Sequence, residues 1–205
     1  MGDKQQVFYI HGGKAYSNYS DYIEYLKTAE IRNLPSSIQM KKWSNSLPES
    51  LGEDYEVFMP SMPNSNNAKY KEWKIWFERH FEYLKDGVVL LGWSQGGYFL
   101  TKYLIENELP FIAKALILVA APFEADDFGG EDGGDFAFAT EKVGDIAEKV
   151  EKIYILHSKD DFVVPYDHAL RFKAGLPPAT LLSFEDKNHF LIEEFPEIIS
   201  LIKSM

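Results

Sequence analysis

Ser94, His189 and the adjacent carboxylates of Asp160 and Asp161 have the residue types and chain order needed to make and break an acyl bond. A serine hydroxyl is a weak nucleophile at neutral pH and needs a base to take its proton as it attacks. An imidazole serving as that base needs a carboxylate to fix its tautomer and stabilise its charged form. Ser94 stands in Gly92-Trp93-Ser94-Gln95-Gly96-Gly97, a Gly-x-Ser-x-Gly pattern between a short apolar run and a stretch of helical periodicity. Glycines there permit a sharp, strained turn where a Cβ would clash, and the turn exposes the hydroxyl at the carboxyl end of a sheet. Backbone N–H groups at the start of the next helix can hold an oxyanion. Residue type and spacing do not separate Asp160 from Asp161 as partner of the base. Among the other histidines, His157 at a strand end is placed to line the floor of the site. His80 and His168 fall in helical stretches and have the weaker cases.

For these side chains to meet, each must emerge just beyond a parallel strand. Six such strands are predicted: Val7–Ile10, Tyr55–Pro60, Val88–Leu91, Ala115–Ala120, Lys152–His157 and Thr180–Phe184. The first ends in His11-Gly12-Gly13, where the backbone N–H of Gly13 can turn toward a ligand. Helical stretches lie between them. One carries Tyr16, Tyr19, Tyr22 and Tyr25 with Ser20-Asp21 as the expected cap, and another presents Trp73, Trp76, Phe77, Phe81 and Leu84 on one face after Ser65-Asn66-Asn67. Further helices are expected from Ser94 to about Glu108, over Glu141–Lys149, over Tyr166–Ala174 with Gly175 as stop, and over Ile192–Lys203. Residues from Asn33 to Gly52 read as a polar connection around Trp43. Alternating strands and helices imply a doubly wound parallel sheet with right-handed crossovers, and His11, Ser94, Asp161 and His189 all follow strands of it. One domain over residues 1–205 is expected.

Within that domain, residues 121–145 are an acidic excursion. From Pro122 to Thr140 there are six acidic residues, no basic ones, four glycines and four phenylalanines. Two readings are open for it: a solvated mobile loop, or a small lid with phenylalanines over the serine and carboxylates toward water. The Asp, Glu and Gly density leaves a calcium loop as a minor alternative, though the EF-hand spacing is absent.

A formal net charge of −11 argues against nucleic acid and anionic membrane as partners. The chain contains no cysteine, which excludes disulfides, thiolate metal sites and a cysteine nucleophile. No metal or cofactor is called for. The opening residues lack the basic start and long apolar stretch of a secretory signal, and the longest uncharged stretch, around Gly87 to Thr101, is too short to span a bilayer. A cytoplasmic protein acting on a small-molecule ester or amide is the expectation.

With these residues in view, the chain resembles the α/β-hydrolase superfamily over nearly its whole length. More narrowly it is similar to the small, nearly lidless serine hydrolases that include retinoblastoma-binding protein nine. The matching pieces are His11-Gly12-Gly13, Gly92-Trp93-Ser94-Gln95-Gly96, Asp161-Phe162-Val163-Val164-Pro165 and Asn188-His189-Phe190. The resemblance implies a three-layer α/β fold with a six-stranded, mainly parallel sheet in the order 2-1-3-4-5-6 and at most a small lid. It also implies Ser94 as nucleophile, Asp161 as acid and His189 as base, with the N–H groups of Gly13 and Gln95 as oxyanion hole. His11, Trp93, Phe123 and Phe162 are the candidates for the substrate pocket. The acidic, glycine-rich segment after the fourth strand departs from the group's pattern, as does a chain starting directly at the strand of the oxyanion loop. The activity implied is hydrolysis of small carboxylic esters through an acyl-enzyme. A peptidase, thioesterase or acyltransferase would use the same residues, and a protein-interaction module on this fold is the rival of another class. A cofactor-independent haloperoxidase-like or C–C bond hydrolase is a third possibility that would turn over esters poorly.

Overall fold

Runs rich in Val, Ile, Leu and Phe form the strands β1 (Gln5–Ile10), β2 (Tyr55–Phe58), β3 (Val88–Trp93), β4 (Ala113–Val119), β5 (Ile153–Ser158) and β6 (Thr180–Phe184). The computed structural model describes residues 4–31, 41–125 and 132–205. All six strands are parallel, in the order β2-β1-β3-β4-β5-β6. β3 is buried at every position because both of its faces are covered, as expected of a central parallel strand. Side chains alternate along it. Val88 and Leu90 join the core beneath α3 (Tyr70–Glu78), α4 (Gln95–Glu106) and α5 (Asp167–Gly175). Val89, Leu91 and Trp93 join the opposite core, which holds Trp43, Leu47 of the short α2 (Leu47–Leu51), and Ile198 and Ile202 of α6 (Pro196–Lys203).

Most of the aromatic content goes into the first of these cores. Phe77 packs edge-on against Phe8, Phe99 and Tyr103, and Phe81 against Phe111. Each large side chain fully buried this way stabilises the fold by about 1.5–3 kcal/mol.

Helix boundaries depart from the sequence expectation where long-range contacts or proline decide them. α1 (Tyr19–Thr28) is preceded by Asn18 rather than capped by Ser20-Asp21, and Asn18 Nδ2 donates to Asp21 Oδ2 at 3.2 Å. α3 begins at Tyr70, past Ser65-Asn66-Asn67, and its first N–H is accepted by Asp135 Oδ1 at 2.9 Å from a distant segment. It ends at Glu78, so Phe81 lies in a separate 3-10 turn, Phe81–Tyr83. Residues Thr140–Glu148 form 3-10 turns rather than an α-helix, burying Val143 and Ile146 at the three-residue spacing such turns favour. α5 takes Gly175 as its last residue instead of stopping before it. α6 starts at Pro196, four residues later than Ile192, because proline fits the first turn and forces Phe195 out of helical geometry.

No helix among the described residues is long and apolar enough to cross a membrane.

Candidate active site

The strand order reverses between β1 and β3, since the chain leaves β1 toward β2 on one side and continues from β3 toward β6 on the other. A crevice at the carboxyl ends of such strands is where ligands bind in open parallel sheets. Ile10 pairs with Gly92, so His11-Gly12-Gly13 and Ser94 emerge side by side. Ser94 sits at φ 53° and ψ −121°, in the left-handed region that a non-glycine residue rarely occupies. The tight packing of this turn demands glycine two residues to either side of Ser94. A Cβ on Gly96 would meet Ile10 O at 2.1 Å, and one on Gly92 would meet Gly97 Cα at 2.6 Å.

His189 links the other two groups. Its Nε2 lies 3.0 Å from Ser94 Oγ, and its Nδ1 lies 2.9 Å from Asp161 Oδ2 and 3.1 Å from Oδ1. A carboxylate on Nδ1 places the proton there, which leaves Nε2 as the lone pair facing the serine hydroxyl. The Asp161 side chain is fully buried. It also accepts the N–H groups of Val163 at 2.8 Å and Val164 at 2.9 Å through Oδ1. Its Oδ2 lies 3.3 Å from Nε2 of His157, which also reaches Val164 O at 2.8 Å. Both neighbours of that nitrogen are acceptors, so His157 carries its proton on Nε2 and donates to them. Burial by itself would raise the Asp161 carboxyl, but hydrogen bonds from His157, His189 and the backbone outweigh it and hold the group well below the usual carboxylate range. His157 is therefore more than floor: it is a second imidazole on the same carboxylate.

Asp160 has a different attachment. Its Oδ1 accepts the Ser158 hydroxyl and the N–H of Asn188, the latter at 2.8 Å, while Ser158 Oγ accepts the N–H of Lys187 at 2.9 Å. Asp160 thus ties down the loop that carries His189, and its side chain does not reach the imidazole.

Gln95 is the first residue of α4, so its N–H has no intrahelical acceptor. Among the described residues the Gly13 N–H has no hydrogen-bond partner, whereas the next amide, Lys14, donates to Ser65 O at 2.8 Å. A Cβ on Gly13 would meet that same oxygen at 2.7 Å, which accounts for glycine there. His11 accepts the N–H of Met62 at Nε2 (2.9 Å), so its proton lies on Nδ1, 2.6 Å from Gly12 O. His11 buttresses the loop after β1.

These groups open into one cleft of about 720 Å³, walled by His11, Gly13, Trp93, Gln95, His189 and residues of α1. Trp93 is locked in place by its Nε1–H, which donates to His189 O at 3.1 Å. Two pocket candidates lie elsewhere. Phe123 is a core residue packed edge-on against Phe172 and Phe138, and its backbone N–H donates to His168 Nδ1 at 2.9 Å. Phe162 is 72% exposed, because the turn that Asp161 holds through two N–H groups directs its neighbour Val163 into the cleft instead.

The lid expected over residues 121–145 falls partly on 126–131, outside the described residues. The described remainder contributes nothing to the cleft wall. Phe136 is fully buried against Trp73 and Tyr70, and Asp132 accepts the Ser17 N–H at 2.9 Å. His80, as expected, is structural, with Nδ1 2.7 Å from Trp76 O. Among the described residues no three His, Asp or Glu side chains cluster as metal ligands would.

No family model matches the chain, and no curated protein does. Solved structures do. The ydeN gene product of B. subtilis superposes with a TM-score of 0.72 at 19% identity, covering 98% of each chain. A monoacylglycerol lipase from Paleococcus ferrophilus gives 0.57 at 13% identity over 97% of this chain and 92% of its own. Alpha/beta hydrolase domain-containing protein 10 from mouse gives 0.57 at 14% identity over 100% and 90%. At such identities the likeness concerns the fold and does not bear on the narrower resemblance to the group that includes retinoblastoma-binding protein nine. A parallel sheet in the order β2-β1-β3-β4-β5-β6, layered between helices and superposing end to end on these structures, is the α/β-hydrolase fold, and this chain has it.

Proposed function

We propose that the chain hydrolyses small carboxylic esters through an acyl-enzyme on Ser94, with His189 as base, Asp161 as the acid that orients it, and the Gly13 and Gln95 N–H groups as oxyanion hole. The observation that carries this reading is one imidazole within hydrogen-bond distance of both the Ser94 hydroxyl and the Asp161 carboxylate. Ser94 Oγ attacks the ester carbonyl carbon as His189 Nε2 takes its proton. The carbonyl oxygen becomes an oxyanion facing the two backbone donors. Collapse breaks the bond to the leaving oxygen, which departs as an alcohol with the proton from Nε2. Water then attacks the acyl-enzyme, gives a proton to Nε2, and releases the acid as Ser94 Oγ recovers that proton. A cleft of about 720 Å³ suits a small-molecule ligand, and the esterolytic name of the lipase among the structural neighbours accords with this chemistry.

The test is labelling of the purified chain with a fluorophosphonate and turnover of p-nitrophenyl esters of increasing chain length. Ser94 should be modified, and Ser94→Ala should lose about 10⁴-fold or more of the ester hydrolysis while keeping its circular dichroism. An unlabelled Ser94, or substantial turnover in the alanine variant, would remove the assignment.

A further inference from the structure

The chain carries 32 acidic against 21 basic residues, yet the cleft at Ser94 has the opposite balance. Its wall holds two lysines, Lys14 and Lys42, and one carboxylate, Glu30. Six lysines elsewhere, Lys27, Lys74, Lys102, Lys149, Lys159 and Lys187, each pair with a carboxylate. Lys42 has no carboxylate partner among the described residues and, unlike Lys69, Lys114, Lys173 and Lys203, it donates to no uncharged oxygen there either. Its ammonium lies instead over the ring of Trp93, 5.5 Å from the centroid, within the range of a cation–π contact. Trp93 is the residue before Ser94, its indole N–H is bound to His189 O, and its ring centroid is 5.6 Å from that of the His189 imidazole. A rigid aromatic platform beside the reacting groups thus carries an ammonium whose counter-charge the described residues do not supply. Lys14 places a second ammonium in the same cleft, over the Tyr25 ring at 5.0 Å.

We propose that the substrate bears an anionic group, a carboxylate on its acyl or its alcohol portion, that lies against the Lys42 ammonium while the ester carbonyl faces Ser94. This rests on the esterase reading above and narrows its substrate class to esters of dicarboxylic acids or of hydroxy acids. Lys42 would then be a specificity-determining residue. A fixed positive charge favours anionic over neutral and cationic ligands of equal size, and the advantage shrinks as salt screens it.

Fluorophosphonate labelling of Ser94 comes first and tests the esterase reading independently of substrate charge. Two matched pairs then separate acyl-side from alcohol-side recognition: mono-p-nitrophenyl glutarate against p-nitrophenyl valerate, and 4-acetoxybenzoate against 4-acetoxybenzamide. At low ionic strength one anionic member should exceed its neutral partner in kcat/KM by about fivefold or more, chiefly through KM, as expected of a partly screened contact. The pair that shows it identifies the side carrying the charge. Lys42→Met should bring that ratio near unity, Lys42→Arg should keep it, and Lys42→Glu should reverse it. Lys42 is exposed, so these variants should fold, and a purely structural lysine would change both members of a pair equally. A labelled enzyme that shows no anionic preference in either pair, or whose preference survives Lys42→Met, overturns the inference and leaves the esterase reading standing. Failure to label Ser94 overturns that reading, and this one with it.

Discussion

One wall of the Ser94 cleft is made by the loops after β5 and β6, the other by α1, and the two are held in opposite ways. In the first wall Asp161, His157 and His189 are buried and joined by hydrogen bonds, and Asp160 and Ser158 fasten the backbone on the amino-terminal side of His189. In the second no residue of α1 is buried; Tyr19 is 69% exposed and Leu26 50%. Yet Tyr25 and Leu26 of α1, with Ala29 and Glu30 just beyond it, face the same cleft. Chemistry needs groups fixed to within a fraction of an ångström, and buried hydrogen bonds supply that. An apolar face toward substrate needs no such fixing, and a helix with few buried contacts can provide one while staying adjustable.

The comparison is broken most directly through Asp161. Asp161→Asn should lower kcat on p-nitrophenyl esters by about 10²- to 10⁴-fold, since an amide can favour the wrong imidazole tautomer. If the variant turns over like its parent, the first wall does not do the chemistry. The same residue gives a pH test. Its folded carboxyl lies below the ordinary range, so as pH falls the unfolded chain takes up the proton first. Stability is full above that range and declines as pH drops through and below it. The Tm of the parent, followed by circular dichroism from pH 7 toward pH 3, should therefore exceed that of Asp161→Asn most at pH 7, with the gap closing toward pH 3. A gap that widens in acid would reverse the sign and refute the account.

Asp160→Ala should have a smaller effect, because it loosens the backbone beside His189 without touching the imidazole. A three- to tenfold loss of kcat with KM little changed is expected, and a stability loss of about 1–2 kcal/mol from the lost hydrogen bonds in urea unfolding. Equal losses for Asp160→Ala and Asp161→Asn would erase the distinction between fastening the loop and orienting the base. Smallest of all in stability is Leu26→Ser on α1. Unfolding free energy should stay within about 0.5 kcal/mol of the parent, while KM for long-chain esters rises several-fold and kcat holds. A collapse in stability instead would mean that α1 is anchored after all.

Much of this architecture was legible from residue order. Six apolar runs separated by helical stretches specify a parallel sheet, because a strand buried on both faces must be apolar throughout, as β3 is. The glycines around Ser94 announce a close approach of backbones, and the approach of Gly96 to Ile10 O is that contact. His11, Trp93, Gln95 and His189 could be expected at one cleft because each follows, or ends, a strand at the same edge. These are local signals, set by periodicity and by what a Cβ can tolerate.

What lies between distant segments was decided only by folding. Sequence could not say that Phe123 and Phe136 would enter the core and leave the cleft to α1, because a phenylalanine is equally suited to a lid or an interior until its neighbours are known. The cap of α3 comes from Asp135, 65 residues away, and no local pattern predicts a donor–acceptor pair so far apart in the chain. The division of labour between Asp160 and Asp161 is likewise tertiary. Adjacent residues on one turn face different partners, and only the arrival of the β6 loop determines which carboxylate meets His189 and which binds its backbone. The placement of Lys42 over Trp93 belongs to the same class, a contact across 51 positions that the packing of the second core brings about. Local sequence determines what each segment can be, because backbone and periodicity act over a few residues; the three-dimensional chain determines which polar groups meet, because their energies depend on partners and burial.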